Sequence, residues 1–322
     1  MSGKNFAITG VGGFVAPRHL KAIYDTGNRV VAAADPNDSV GILDRFGFDI
    51  RFFREIERLD RHLDKLRRGP VGSRVDFVSI CSPNFLHDAH ARMALRNDAD
   101  VICEKPLVIN PWNLDALETM EAETGRRIYT ILQLRVHPAL VALREQLQRE
   151  PASHRAQAEL TYVTSRGRWY DVSWKGSEQH SGGVAMNIGI HFFDLLIWLF
   201  GEVRSLEIQH RDARCCSGAI ELARADVSWF LSVDRDDLSA GGPHAAGRNT
   251  YRSIKIDDRE VEFSEGFADL HTRVYEMCLN GTGFRIPDAR PSIELVHRLR
   301  TSAVATGSRP PHPFLTARRN RT

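Results

Sequence analysis

The chain has 322 residues, 42% of them hydrophobic, which is enough to build a large buried core divided over two domains. With 43 Lys and Arg against 41 Asp and Glu, the formal net charge is only +2. That balance is too even to imply a polyanion-binding surface, so nucleic acid is not indicated as a partner.

From the start to about residue 130, short apolar strands alternate with segments of helical period, the pattern of parallel β-α-β units. A strand is expected at Asn5–Thr9, then a turn Gly10-Val11-Gly12-Gly13-Phe14-Val15-Ala16, then a helix over Pro17–Thr26 closed by Gly27. Further strands are expected at Arg29–Ala34, Asp76–Cys81, Asp100–Cys103 and Arg127–Leu132. Helices are expected at Glu55–Arg68, Leu86–Arg96 and Leu114–Thr124, with Gly69 and Gly125 just past the ends of the first and last. These elements predict an α/β, doubly wound Rossmann domain over residues 1–130.

Beyond about residue 155 the strands lengthen: Ala156–Thr164, Ser205–His210, Ala219–Val233, Arg252–Ile256 and Glu260–Phe263. One strongly apolar helix falls around Met186–Phe200, the stretch Asp236–Thr250 reads as a loop, and helices return at Phe267–Leu279 and Ser292–Ala303. Successive strands without intervening helices predict an α+β domain over residues 131–305, with an open, mostly antiparallel sheet. Residues 306–322, with Ser308-Arg309-Pro310-Pro311-His312-Pro313 and the basic run Arg318-Arg319-Asn320-Arg321, read as a disordered, solvated tail. The five cysteines, Cys81, Cys103, Cys215, Cys216 and Cys278, have no C-x-x-C spacing, so neither a disulfide framework nor a zinc site is expected. The beginning of the chain has no apolar signal core, and the longest apolar run, Leu195–Phe200, is too short to cross a bilayer. A soluble, cytoplasmic protein with no membrane partner is expected.

Open α/β sheets bind ligands beyond the carboxyl ends of their strands. The small residues Gly10, Gly12 and Gly13, followed by Phe14 and Val15, would let the backbone approach a pyrophosphate at a helix N-terminus. The strict G-x-G-x-x-G is not met, because Val15 takes the sixth place; the spacing Gly10-x-x-Gly13-x-x-Ala16 fits better. Asp35 ends the second strand about 20 residues beyond the glycines, where a carboxylate accepts hydrogen bonds from an adenosine ribose. An acid there repels a 2′-phosphate and Pro36-Asn37-Asp38 supplies no arginine, so NAD is favoured over NADP. Ser82, Pro83, Asn84 and His87 would line the same crevice, as would Gln133 and Arg135 after the last strand. Glu104-Lys105-Pro106 follows the strand Asp100–Cys103 and puts a lysine where a proton-handling group is needed. His87 and His90 have helical spacing but no third ligand nearby, so no metal is expected.

The glycine turn, Ser82-Pro83-Asn84 with His87, Glu104-Lys105-Pro106 and the segment Gly182 to Asp194 containing Asn187 and His191 resemble the glucose-fructose oxidoreductase, inositol dehydrogenase and rhizopine-catabolism (Gfo/Idh/MocA) family. The resemblance runs from the first strand to about residue 305. It implies oxidation of a sugar or polyol hydroxyl with a nicotinamide cofactor, and a homotetramer. Ile102 to Leu107, Ile131 to Arg135, Leu160 to Gly167, Trp169-Tyr170, Ser173 to Gly176 and Phe263 to Thr272 further resemble the UDP-N-acetyl-2-amino-2-deoxy-D-glucuronate 3-dehydrogenases of bacterial surface-polysaccharide (O-antigen) synthesis. That likeness implies oxidation of the sugar 3-hydroxyl of a UDP-sugar substrate to a ketone, with 2-oxoglutarate as a second substrate that restores NAD.

Removing hydride from a secondary alcohol requires a base at its hydroxyl, and Lys105 and His191 are the candidates. An imidazole is poised near neutral pH, whereas a lysine needs desolvation to act there. His191 is therefore expected as proton acceptor and Lys105 as the group bonding the hydroxyl, with the reverse assignment open. Asn187, where many relatives have Asp, cannot exchange protons; it stands at i and His191 at i+4, one face of a helix. Asp194, three residues past His191, is a candidate to orient its ring. Arg166, Arg168, Tyr170, Trp174 and Lys175 mix cations with aromatics suited to a uronate carboxylate and a diphosphate. The alternatives are a dehydrogenase of a free sugar or inositol, or an NAD-dependent glycosidase on the same fold.

Overall fold

Asn5–Thr9, buried at every position, is the central strand β1 of a six-stranded parallel sheet. There follow α1 (Ala16–Asp25), β2 (Arg29–Ala34), β3 (Arg51–Phe53), α2 (Ile56–Arg68), β4 (Phe77–Ile80), α3 (His87–Arg96), β5 (Asp100–Cys103), α4 (Trp112–Thr124) and β6 (Ile128–Thr130). The strand order is β3-β2-β1-β4-β5-β6, every neighbouring pair parallel. Central strands covered on both faces read as unbroken apolar runs, which is why β1, β4 and β5 are legible in the sequence. The edge strand β3, three partly exposed residues, carries no such run and was not expected. The order reverses between β1 and β4, so the ligand crevice of this sheet lies beyond their carboxyl ends.

The computed structural model describes residues 3–151, 153–244, 247–261, 263, 269–305 and 308–321. It divides into two units, Met1–Val136 with Phe267–Arg290, and His137–Gly266 with Pro291–Thr322. The second unit holds α5 (Pro138–Arg149), β7 (Ala156–Thr164), the short helices α6 (Trp169–Val172) and α7 (Glu178–Ser181), and α8 (Ile190–Phe200). It continues through β8 (Val203–Arg211), β9 (Cys215–Leu222), β10 (Ala225–Ser232), β11 (Thr250–Ile256) and β12 (Arg259–Glu260). Its sheet order is β12-β11-β7-β10-β9-β8, antiparallel throughout except for the β7–β10 pair. The expected single strand Ala219–Val233 is a hairpin, β9 turning into β10 at Ala223-Arg224. No Gly, Pro or Asn marks that turn. Its amides instead donate to Phe200 O, at the end of α8, and Glu202 O just beyond it. The expected loop from Asp236 includes 3-10 turns over Arg235–His244. The helical run Glu178–Phe200 is long and apolar enough to cross a membrane by length and composition, longer than the sequence reading allowed, but most of it is buried as a core helix.

The helix α9 (Leu270–Leu279) corrects the expected domain boundary. Residues 267–279 were expected in the second domain, yet Val274, Tyr275 and Cys278 join the core built on Phe6, Phe77 and Tyr129 in the first unit. Tyr275 stacks 6.0 Å from Phe6, and Thr130 N donates to Phe284 O. Only tertiary packing decides this, and α9 looks like any amphipathic helix in sequence. The helix α10 (Ile286–Thr301) follows, the division between the units falling within it.

The tail is corrected as well: α11 (Pro313–Arg319) is an ordered helix. Phe314 and Leu315 are buried with Val163, Cys215 and Phe230, and the Phe314 ring stacks 5.5 Å from Tyr251. Arg318 pairs at 2.6 Å with the buried Asp237, and Arg321 pairs with the same carboxylate. The proline-rich composition hid a helix start: Pro313 sits at the first turn, and His312 Nδ1 accepts from Phe314 N at 3.1 Å. The buried His312 ring is thus neutral, with Nε2 3.1 Å from Thr161 Oγ1, and burial pushes its pKa down to about 3. A folded pKa below the unfolded value of about 6.5 contributes stability that is complete above that pH and lost as pH falls toward the folded value. Between about pH 7 and about pH 4, chemical unfolding is expected to show the parent protein losing roughly 3 kcal/mol more than a His312→Leu variant.

Candidate functional site

The turn after β1 is built for close backbone approach. Gly10 has φ +72°, and a Cβ there would lie 2.4–2.5 Å from Ser82 N and the Cys81 carbonyl. Gly10 N donates to Ala34 O and Gly13 N to Gly10 O, folding the turn tightly ahead of α1, which has no side-chain N-cap. Close backbone approach and a positive helix end are what a pyrophosphate needs. Phe14 is exposed and Val15 is the N-cap residue. Asp35, at the end of β2, accepts from Gly12 N at 2.9 Å through Oδ2 and from Asn37 N at 2.8 Å through Oδ1. The loop therefore holds the carboxylate where a ribose would lie, and the chain fits a dinucleotide by the cradle at Gly10 and this acid together.

Several candidates turn out to shape the crevice. His87, a single residue into α3, places Nδ1 2.6 Å from Pro106 O and Nε2 2.8 Å from Ser82 O, tying two crevice loops together. Both ring nitrogens face carbonyls, and burial lowers its pKa. Its place is therefore between the loops, where it has no nitrogen left for a cofactor. His90, which burial pushes down to about 4, bonds Ser82 Oγ at 2.9 Å and Thr9 Oγ1 at 3.2 Å. Pro83 begins a 3-10 turn in which Asn84 is buried. Gln133 lies in the 3-10 turn after β6, with Oε1 buried. Arg135, expected to meet substrate, packs its guanidinium 5.5 Å from the Phe284 ring and donates to Asp288 O at 2.9 Å. That partner comes from residues 267–290, whose return to this unit the sequence does not reveal.

Lys105 follows β5 on a cis Lys105-Pro106 bond, and its side chain is partly buried. Burial lowers its pKa, opposed by the charge of Glu104. Glu104 itself was expected at the cofactor, but the structure surrounds it with protein donors. His19 Nε2 of α1 and His271 Nε2 of α9 each lie 3.0 Å from its Oε1, and Lys105 N donates to Oε2 at 3.1 Å. Burial works to raise the Glu104 pKa, but the two imidazole hydrogen bonds outweigh it and hold the carboxyl well below the usual range. His19 and His271 were missed because nothing local marks residues 85 and 167 positions away from Glu104.

In the second unit, Tyr170 is buried and its hydroxyl accepts from Asn187 Nδ2 at 3.3 Å. Burial raises the Tyr170 pKa, so this phenol is a neutral hydrogen-bonding group. Lys175 Nζ lies 5.7 Å from the Trp169 ring and 5.6 Å from the Trp174 ring, a cation held between two indoles. Arg166 is partly buried and Arg168 exposed at the start of α6. Asn187 lies in a π-helical turn, Ala185–Gly189, just before α8, so it and His191 do not follow the α-helical i, i+4 spacing that the sequence suggested. A π-turn carries an extra residue, which sequence periodicity does not disclose. The His191 ring is half-buried against Phe192 at 4.1 Å and Tyr162 at 6.0 Å, and Asp194 is buried. The resembling segment around Phe263 falls largely outside the described residues, which lack 264–268.

Residues 4–132 match the oxidoreductase family, NAD-binding Rossmann fold (GFO_IDH_MocA), and residues 155–221 match the C-terminal alpha/beta domain of the same family. The WlbA (WbpB) dehydrogenase of Thermus thermophilus, solved with NAD and alpha-ketoglutarate and also with NAD and UDP-GlcNAcA, is 48% identical. The likeness covers 97% of this chain and 99% of that one, with a TM-score of 0.90. Inositol 2-dehydrogenase of Rhizobium meliloti is 25% identical over 80% of this chain and 72% of its own length. D-glucoside 3-dehydrogenase of Escherichia coli is 31% identical over 39% of this chain, and the match spans only 36% of that enzyme. With both domain families matched in order and one relative alike over nearly its whole length, the chain belongs to the Gfo/Idh/MocA oxidoreductase family.

Proposed function

We propose that the protein is a cytoplasmic, NAD-dependent dehydrogenase that oxidises the 3-hydroxyl of UDP-N-acetylglucosaminuronic acid (UDP-GlcNAcA) to the 3-keto sugar, for O-antigen synthesis. In this reading 2-oxoglutarate is the second substrate and the working form is a homotetramer. The observation that carries it is the 48% identity, along 97% of the chain, to an enzyme solved with NAD and each of these two ligands.

NAD would supply the hydride acceptor for carbon 3. The small residues Gly10, Gly12 and Gly13 would let its pyrophosphate approach the N-terminus of α1, and Asp35 would hold its adenosine ribose. The hydroxyl proton passes to Lys105 Nζ, whose burial favours the neutral amine that can take it. His191, its ring held against Phe192 and Tyr162, is the alternative proton acceptor. Arg166 and Lys175 pair with the uronate carboxylate or diphosphate, Trp174 supplies ring surface, and the buried Tyr170 accepts from Asn187 and orients it. Reduction of 2-oxoglutarate to 2-hydroxyglutarate needs one hydride and one proton, and the proton Lys105 has taken is the one required. The two half-reactions therefore close without a net change in the protein.

The test is nicotinamide absorbance of the purified protein on adding UDP-GlcNAcA. A reduced-nicotinamide signal that 2-oxoglutarate reverses, with 2-hydroxyglutarate formed, is expected. No signal from folded, NAD-binding protein would sink the reading and leave the free-sugar and glycosidase alternatives. At the cofactor end, Asp35→Ser is expected to weaken NAD by about tenfold or more and narrow its preference over NADP, measured by titrating both.

A further inference from the structure

Two histidines from helices widely separated in the chain converge on one oxygen of the buried Glu104. The network has a direction that can be worked out. An ionised carboxylate only accepts, so both Nε2 atoms carry hydrogens. Burial keeps His19 neutral, so its Nδ1 accepts and the Tyr275 hydroxyl, 2.7 Å away, donates to it. Tyr275 oxygen, also 2.7 Å from Ser79 Oγ, then accepts from the Ser79 hydroxyl. The chain runs Ser79 to Tyr275 to His19 to Glu104, His271 adds a second donor, and Lys105 N takes the other carboxylate oxygen.

The same three side chains form a donor set that zinc accepts, their ligand atoms lying within 4.8 Å of one another. Direct hydrogen bonds account for the arrangement more fully. Both imidazole nitrogens sit at hydrogen-bond distance from a single oxygen, and His19 Nδ1 and Glu104 Oε2 already have protein partners.

We propose that His19 and His271 are positioning residues for Lys105: they keep Glu104 an oriented anion, and that anion fixes both the backbone and the charge balance at the adjoining lysine. An isolated buried carboxylate would become neutral, whereas two aimed N–H donors keep it charged. Among the described residues, the other titratable groups around it include Arg18 on α1, Cys81 after β4, Cys103 on β5, His87 on α3 and Tyr275 on α9. Burial pushes Cys81, Cys103 and Tyr275 upward, leaving all three neutral near neutral pH, and His87, both of whose ring nitrogens face carbonyl oxygens, supplies no negative charge in either protonation state. Glu104 is therefore the group that opposes the desolvation of Lys105.

The proposal rests on Lys105 being the proton-handling group of the reaction above, but not on the identity of the sugar. It is tested without substrate, by the pH dependence of Lys105 acetylation with acetic anhydride in the full chain, read by peptide mass spectrometry. In Glu104→Gln, loss of the anion is expected to move the labelling midpoint down by about 1 pH unit or more. The double variant His19→Leu/His271→Leu, which leaves the carboxyl without its imidazole donors, should move it the same way. His19→Gln/His271→Gln, whose amides can still donate, should restore it. A folded Glu104→Gln protein with the parent midpoint would overturn the proposal. So would Leu and Gln double variants that behave alike, and that pair decides if Glu104→Gln does not fold. A parent midpoint that moves with a chelator would overturn it in favour of a metal. Shifted midpoints without turnover on UDP-GlcNAcA would instead count against the substrate reading alone.

Discussion

Replacing Lys105 by Met is expected to lower kcat by about 10³-fold, the scale of a lost general base, with NAD binding retained. Methionine keeps the length and apolar stem of the lysine, so the partly buried site stays filled and only the proton-handling atom is removed. The pH profile checks the assignment. With a lysine pKa lowered by burial, kcat/KM of the parent enzyme should fall on the acid side as the amine becomes protonated, at a pH below the usual lysine range. If Lys105→Met keeps near-parent turnover while His191→Asn loses it, the proton acceptor is His191. If both variants turn over like the parent, neither residue handles the proton.

Substituting Gly10 by Ala is expected to abolish measurable NAD binding, or weaken it by about 100-fold or more. Two separate effects act at that residue. Its φ of +72° is one that L side chains resist, and the added methyl would lie 2.4 Å from Ser82 N and 2.5 Å from the Cys81 carbonyl carbon and oxygen. These are backbone atoms of the neighbouring β4 end, which cannot swing aside as a flexible side chain can. The turn must open, and with it the spacing between the glycine amides and the crevice. Calorimetric titration with NAD checks this, and thermal unfolding of the same samples separates lost binding from lost fold. Parent-like affinity in the variant would show that the cradle does not hold the pyrophosphate.

The legible parts of this chain were those whose physics is local. A parallel strand covered on both faces must be apolar throughout, so β1, β4 and β5 announced themselves, as did the turn between β1 and α1 and the acid at the end of β2. Lys105 drew attention by following an apolar strand, whereas His191, on an apolar helix beside Phe192 and Phe193, reads locally as a core histidine and was singled out by the family resemblance alone. What escaped was set by distance in the chain. His19 looks like one more residue on an amphipathic helix until α9 brings His271 and Tyr275 beside it. Arg135 read as a crevice residue after the last strand, and its partner Asp288 comes from the same returning segment. The ordered tail escaped for a different reason: the proline-rich stretch ahead of it has a disordered composition, and the buried Asp237 that captures its arginines lay in an expected loop.

The return of residues 267–290 to the first unit has a consequence during synthesis on the ribosome. The nucleotide-binding half is encoded as two pieces, with His137–Gly266 emerging between them. Until the second piece is translated, the nascent half lacks Val274, Tyr275 and Cys278 from its core and the second imidazole beside Glu104. The order in which the chain leaves the exit tunnel therefore does not match the order in which its folding units can be completed. A nascent chain ending near residue 136 should stay protease-sensitive, whereas one extended through residue 290 should contain every residue of the nucleotide-binding unit.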